Sequence, residues 1–414
     1  MKIPPPRTEP RKKLQQCGSV LVVTMIFIMT LAVIVESYLR MVQNSYQLTA
    51  RSQCWNAALA IAEAGVEESL ASLNSGNYFN VLSRQFNNGS YQAWFFSASA
   101  TNRAYIKSTG TVMVPKTGDT VSRTVIVRSV QSAMFTMGLV AINNIQFNGN
   151  GVATDSWNSF DPTQSSNGLY NGYVGNHGDV ASVKGIVNIG NHIINGNLWL
   201  GGNAIFTGAP ANVTGTIYTD ANLYFPDVSL PAATGLGWQN APQITTGSGD
   251  STVTIHDITT SGFYTINDTY PVTVEPGVTA TLDIKPSIWN PTTVNINGGT
   301  TNSGTLNIYQ ESGSITLSGN SNGGASGNRP ENLYVFGLPA VTSITLSGTS
   351  SFVGAIYSPE AVLNLNGGGN NKNLIGAAVV NSVTLNGHYD FHYDTALATN
   401  GLSRGFVVAS WQEQ

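Results

Sequence analysis

From residue 19 to residue 35 the chain reads Ser-Val-Leu-Val-Val-Thr-Met-Ile-Phe-Ile-Met-Thr-Leu-Ala-Val-Ile-Val without a single charge. At ~1.5 Å per residue this run makes roughly 26 Å of helix, and Ser37, Tyr38 and Leu39 extend it to the ~30 Å of a bilayer core. The pattern then becomes amphipathic. Trp55, Leu59, Ala62, Val66, Leu70 and Leu73 recur every three or four residues and share one helical face. Glu36 and Arg40, at i and i+4, stand where the apolar stretch gives way. The pattern predicts one helix over 19–75, stopped by the breakers Asn74-Ser75-Gly76-Asn77. Beyond it, 91–97, 104–114 and 121–130 are rich in aromatic and β-branched residues, with Pro115-Lys116-Thr117-Gly118-Asp119 as a turn. These predict three antiparallel strands against the helix, a small β-rich unit over 76–132.

From about Ala133 the texture changes to short apolar runs separated by Gly and Asn. Ser314-Ile315-Thr316-Leu317-Ser318, Ser343-Ile344-Thr345-Leu346-Ser347, Val362-Leu363-Asn364-Leu365-Asn366 and Ser382-Val383-Thr384-Leu385-Asn386 are variants of one unit. A second series, Phe352 to Ile356 and Leu374 to Ala378, repeats after 22 residues. Periods near twenty, each holding two or three short strands, predict a parallel β-helix over 133–400. Ile, Leu and Val stack inward, while Thr, Ser and Asn face out. Asn320 to Glu331 reads as a loop thrown from the solenoid, Leu223 to Pro291 as its least regular part, and 401–414 as a C-terminal tail. The expected fold is therefore mainly β: a long N-terminal transmembrane and amphipathic helix, a small antiparallel sheet, then a parallel β-helix.

Composition sharpens the picture. Only 10% of the 414 residues are charged and 44 are Gly, so solubility outside the helix rests on Asn, Ser and Thr, as in many exported proteins. Lys2, Arg7, Arg11, Lys12 and Lys13 precede the apolar run, which holds the N-terminus in the cytoplasm and sends the remainder outward. Without residues 1–18 the charge is about −8, because five of 18 basic residues and one of 22 acidic ones leave with them; nucleic acid is disfavoured as a partner. The two cysteines, Cys17 and Cys54, flank the apolar run, so no internal disulfide forms and Cys54 is expected to be buried or at an interface.

The order of basic leader, Gly18, then apolar helix differs from a secretory signal, whose apolar core is shorter and ends in a small-x-small site. A plain membrane anchor shares the order. The segment Ala57-Ala58-Leu59-Ala60-Ile61-Ala62-Glu63-Ala64-Gly65-Val66-Glu67-Glu68-Ser69 resembles the A-x-x-A-E-A-G-x-E stretch of PilX-type minor pilins of type IV pili. Residues from about 290 to 397 also look like the C-terminal β-helical domain carried by some PilX-like proteins. The resemblance implies cleavage between Gly18 and Ser19 by prepilin peptidase, methylation of Ser19, and packing of the helix with other pilins or pseudopilins. Glu63, Ala64 and Gly65 would let a neighbouring helix approach. Major pilins carry glutamate at the fifth mature position; here that position is Val23, which points to a minor, tip or priming subunit. The implied location is the bacterial inner membrane, with the β-rich part periplasmic, and then the pilus or pseudopilus.

Candidate chemistry is sparse. Between 133 and 397 the basic residues are Lys184, Lys285, Arg329 and Lys372, and no carboxylate pair recurs at the period of a coil, so a polysaccharide-cleaving β-helix is disfavoured and no cofactor is expected. His388, Asp390, His392 and Asp394 alternate and could share one strand face as metal ligands. The favoured reading turns Tyr389, Phe391 and Tyr393 inward and that polar set to solvent. Asp155, Asp161 and Asp179 lack the regular spacing of a calcium loop. Trp157, Tyr170, Tyr173, Trp199, Trp238 and Trp289 either stack on a surface glycan or fill the core. A membrane-anchored β-helical adhesin, recognising a glycan or protein, is the alternative to the pilin.

Overall fold

The computed structural model describes residues 17–74, 81–98, 103–148, 153–247, 252–318, 329–347, 351–366, 372–387 and 389–414. They form two units, 1–132 with 405–414, and 133–404, so the second is inserted in the chain of the first.

The first unit is one helix, Cys17–Asn74, and a five-stranded sheet. Residues 20–49 of the helix are exposed throughout, while Ala58, Ala62, Val66, Ser69 and Leu73 are buried. Small residues set the distance between helix and sheet. A Cβ on Gly110 of the strand Arg103–Met113 would lie 2.6 Å from Ala62 N, and one on Gly65 would lie 2.7 Å from the Tyr91 ring. Three strands, Gly89–Ala98, Arg103–Met113 and Thr120–Ala133, match the sequence pattern; Val81–Phe86 precedes them as an antiparallel neighbour. The expected C-terminal tail is corrected. Ser403–Glu413 is a strand beside Thr120–Ala133, and Thr124 and Gln414 exchange both backbone hydrogen bonds at 3.2 and 2.8 Å, as in an antiparallel pair. Arg123, which bridges to Glu413 at 2.5 Å and lies over the Trp55 ring, fixes this strand; a run ending in Trp-Gln-Glu-Gln carries little local signal of it.

The second unit is a parallel β-helix with three faces. Its inner ladders follow the sequence period: Leu317, Leu346, Leu365 and Leu385 stand opposite one another in successive coils, as do Ile315, Ile344, Leu363 and Val383. All eight are buried. The second series stacks as Phe352 on Leu374 and Ile356 on Ala378.

The coils do not stack in chain order. The segment 378–386 pairs with Leu139–Ala141 and Ile145–Asn148, and Tyr389–Asp394 pairs with Ala153–Trp157. The last strand and the first two therefore complete one turn between them. On one side of this seam the chain runs through 180, 198 and 217. It then returns along residues 219–237 to the far end and winds back through 239, 264, 282, 308, 335 and 356 to 378. Ten ladder steps at ~4.8 Å need roughly 48 Å, which a 19-residue extended segment of roughly 63 Å reaches.

That returning strap explains strands such as Leu333–Ser347, whose opening Leu-Tyr-Val-Phe-Gly is buried on both faces. Tyr334, Phe336 and Tyr357 point outward from the first face, and Leu223, Phe225 and Val228 of the strap pack against the same cluster. The Tyr357 hydroxyl donates to Pro226 O at 2.9 Å. Phe135, just before the first coil, stacks on Tyr334 and meets Tyr357 edge-on.

Candidate functional site

At the seam, the parallel pairing of Ala153–Trp157 with Tyr389–Asp394 sets His392 opposite Asp155 and Asp394 opposite Trp157. Strand alternation turns Tyr389, Phe391 and Tyr393 into the core. The expectation that the polar set faces solvent is corrected: His392 and Asp394 are also buried. The covering element is the segment 158–178, which lengthens this coil. Its Tyr170 ring lies flat on the His392 imidazole at 4.0 Å between centroids, with Trp157 edge-on to Tyr170 at 5.6 Å.

Beneath Tyr170, His392 Nδ1 is 2.6 Å from Asp155 Oδ1. Burial pushes the Asp155 carboxyl up from its ordinary value, against the hydrogen bond and charge of His392, which pull it down. Burial and the charges of Asp155 and Asp390 push the Tyr170 phenol up as well. Asp394 accepts from the backbone N–H groups of Ser159 and Ala396, both at 3.0 Å, and burial raises it too. Asp390 accepts from Ala153 N at 3.1 Å. Arg329 pins the covering segment, its guanidinium 4.1 Å from the Phe160 ring centroid and 3.6 Å from Glu331.

The three described metal candidates thus do not converge. Asp390, His392 and Asp394 each have a different partner, and His388 lies outside the described residues. Among the described residues, no group of three His, Cys, Asp or Glu is placed to hold a metal. Asp155 and Asp179 also serve separate structures: Asp179 accepts from Asn197 N at 2.8 Å and from Trp199 Nε1 at 3.2 Å. Asp161 caps its own turn through Thr163. The cluster is sealed and holds the closing turn of the solenoid. Asp155 and His392 are 237 residues apart, so no local pattern pairs them.

The aromatic candidates divide. Trp157 and Trp289 are core; Trp199 stacks on Tyr218 at one end of the solenoid, and Trp238 meets Phe263 at the other. Tyr173 is exposed.

On the helix, Gly18 and Ser19 belong to the first turns and Val23 is exposed among apolar neighbours; the leader residues 1–16 lie outside the described residues. Glu63 and Ala64 face outward. Gly65 does not, which corrects its expected role: it admits the unit's own Tyr91 and Ser108. One turn further on, Glu68 bonds both Arg84, at 2.6 Å, and the Tyr91 hydroxyl, and burial together with that carboxylate pushes Tyr91 up to about 12. Cys54 is buried as a free thiol beside a groove of about 850 Å³ whose walls include Ile61, Phe86 and Val112.

Residues 243–400 match a family described as a domain of unknown function (DUF7305). The match spans most of the solenoid arm that winds back to the seam and omits the coils at 139–218. No curated protein and no solved structure matches the chain.

Proposed function

We propose that this chain is a minor, PilX-like subunit of a type IV pilus or pseudopilus. The observation that carries the reading is a single 58-residue helix with two unlike halves. Its first half is apolar and bare, and is long and apolar enough to cross a membrane. Its second half is locked on the unit's own sheet through Ala58, Ala62, Gly65 and Val66. A helix so divided can rest in the inner membrane and later pack against other pilins without disturbing its folded unit. Prepilin peptidase would cut between Gly18 and Ser19 and release the helix for that exchange. With Val23 in place of an acidic residue, the subunit brings no carboxylate to a neighbour's amino terminus, which suits a tip or priming position. The β-helix is then displayed outside.

Intact mass and N-terminal sequencing of membrane-extracted protein test this. A methylated chain beginning at Ser19 is the expected result. A chain beginning at Met1, or cut after Val35, would overturn the pilin and leave a plain anchored β-helix or an exported one.

A further inference from the structure

Two faces of the solenoid are covered by the chain itself, the first by the strap 219–237 and, at the seam, the third by 158–178. Over the second face no described segment of this unit is placed, and its outward residues are half-buried or exposed. Thr316, Thr345, Asn364, Thr384, Gln146 and Asn188 form one outward row across it, every neighbouring pair in register, the step through the seam included. All six are half-buried. Two residues further along each strand, Asn366, Asn386 and Asn148 form a ladder in which side-chain amides bond at 3.0 and 3.2 Å. A third row, two residues earlier, runs through Ser314, Ser343, Val362 and Ser382, whose hydroxyl accepts from Asn144 N at 3.3 Å.

We infer that this face binds an ordered array of uncharged polysaccharide chains. Strand spacing repeats one hydroxyl or amide every ~4.8 Å along the axis, and the rows lie roughly 6.6–6.8 Å apart. Every group in these rows except Val362 can both donate and accept, as sugar hydroxyls do. No Lys, Arg, Asp or Glu stands in the rows, so a polyanion finds no counter-charge. No aromatic stands there either, so a single sugar ring finds no platform. Many weak, equally spaced contacts gain strength only against a partner that repeats and is itself rigid. The fully buried ladders behind the face, Ile315 to Val383 and Leu317 to Leu385, hold its groups in place before binding. The inference holds whether or not the helix assembles into a fibre.

The test is retention of the full chain, in detergent micelles, on microcrystalline cellulose and on chitin powder. Retention on at least one polymer is expected, with the double variant Thr345→Val/Thr384→Val lowering the partition coefficient about tenfold. That pair keeps shape and strand propensity; Thr345→Glu/Thr384→Glu, checked for an unchanged melting profile, should abolish retention. Retention on neither polymer, or equal retention of wild type and both variants, would overturn the inference. Equally tight binding of soluble cello-oligosaccharides would overturn the requirement for an ordered array. Shaping of growing ice crystals without polymer retention would replace the polysaccharide by a different lattice. N-terminal sequencing decides the pilin reading separately, so the two can fail independently.

Discussion

The two units of this molecule leave different kinds of surface uncovered. In the first, residues 20–48 of the helix expose Val, Leu, Ile, Met and Phe along its whole circumference. In the second, the interior rows are buried, the aromatic outer row is covered by the strap, and the face that no described segment covers carries Thr, Ser and Asn. An uncovered apolar helix is unstable in water and must find lipid or other helices. A bare polar sheet is stable alone and free to bind or not. The first unit thus exposes an apolar surface that water disfavours, and the second a polar one that water tolerates.

The sharpest way to break this comparison is inside the solenoid. Phe391 is buried at the seam between Leu374 and Thr154, and Phe391→Ala should cost about 3–5 kcal/mol by calorimetry of the full chain in micelles. Leu365→Ala, in an ordinary coil step, should cost about 2–5 kcal/mol. Equal losses make the seam one more step of the ladder; a near-zero loss at Phe391 would mean that the solenoid does not close there. Next comes the helix. Ile28→Lys should cost about 2.5–3.5 kcal/mol of membrane insertion and shift the chain from the membrane to the soluble or degraded fraction, with the solenoid's melting unchanged. Smaller again is Gly110→Val, about 1–3 kcal/mol of overpacking against Ala62, read as lost protection of residues 54–73 in hydrogen exchange.

The smallest effect is pH-linked. Asp155, Asp394 and the half-buried Glu331 all titrate above their ordinary values because loss of solvent disfavours their charged forms. The folded state therefore holds protons that the unfolded state has released, so this contribution to stability is full below the ordinary carboxylate values and is lost as pH rises through the raised ones. The melting temperature of the solenoid should rise on acidification from neutral pH towards the ordinary carboxylate values, and less so in Asp155→Asn.

The helix and the inner ladders were legible because their signals are local. Seventeen uncharged residues, a step of three or four, and repeats of 19 and 20 residues each follow from the geometry of one element stacked on the next. The site was legible only in part. The alternation in 389–394 correctly turned Tyr389, Phe391 and Tyr393 inward, but nothing near His392 announces Asp155 or the cover of Tyr170. Likewise Gly65 carries the signature of close approach without saying what approaches.

By itself, then, the sequence determined which residues form a helix able to span a membrane, which positions point into the solenoid, and how coils such as 314–318 and 343–347 register. Tertiary structure alone decided the order in which coils stack, the seam, the role of 219–237 as a strap, and the return of Ser403–Glu413 to the first sheet. The reason is that a parallel ladder fixes how one coil sits on another but not which coil is next. That choice falls to the outward side chains, whose apolar rows must find cover and whose polar rows need none.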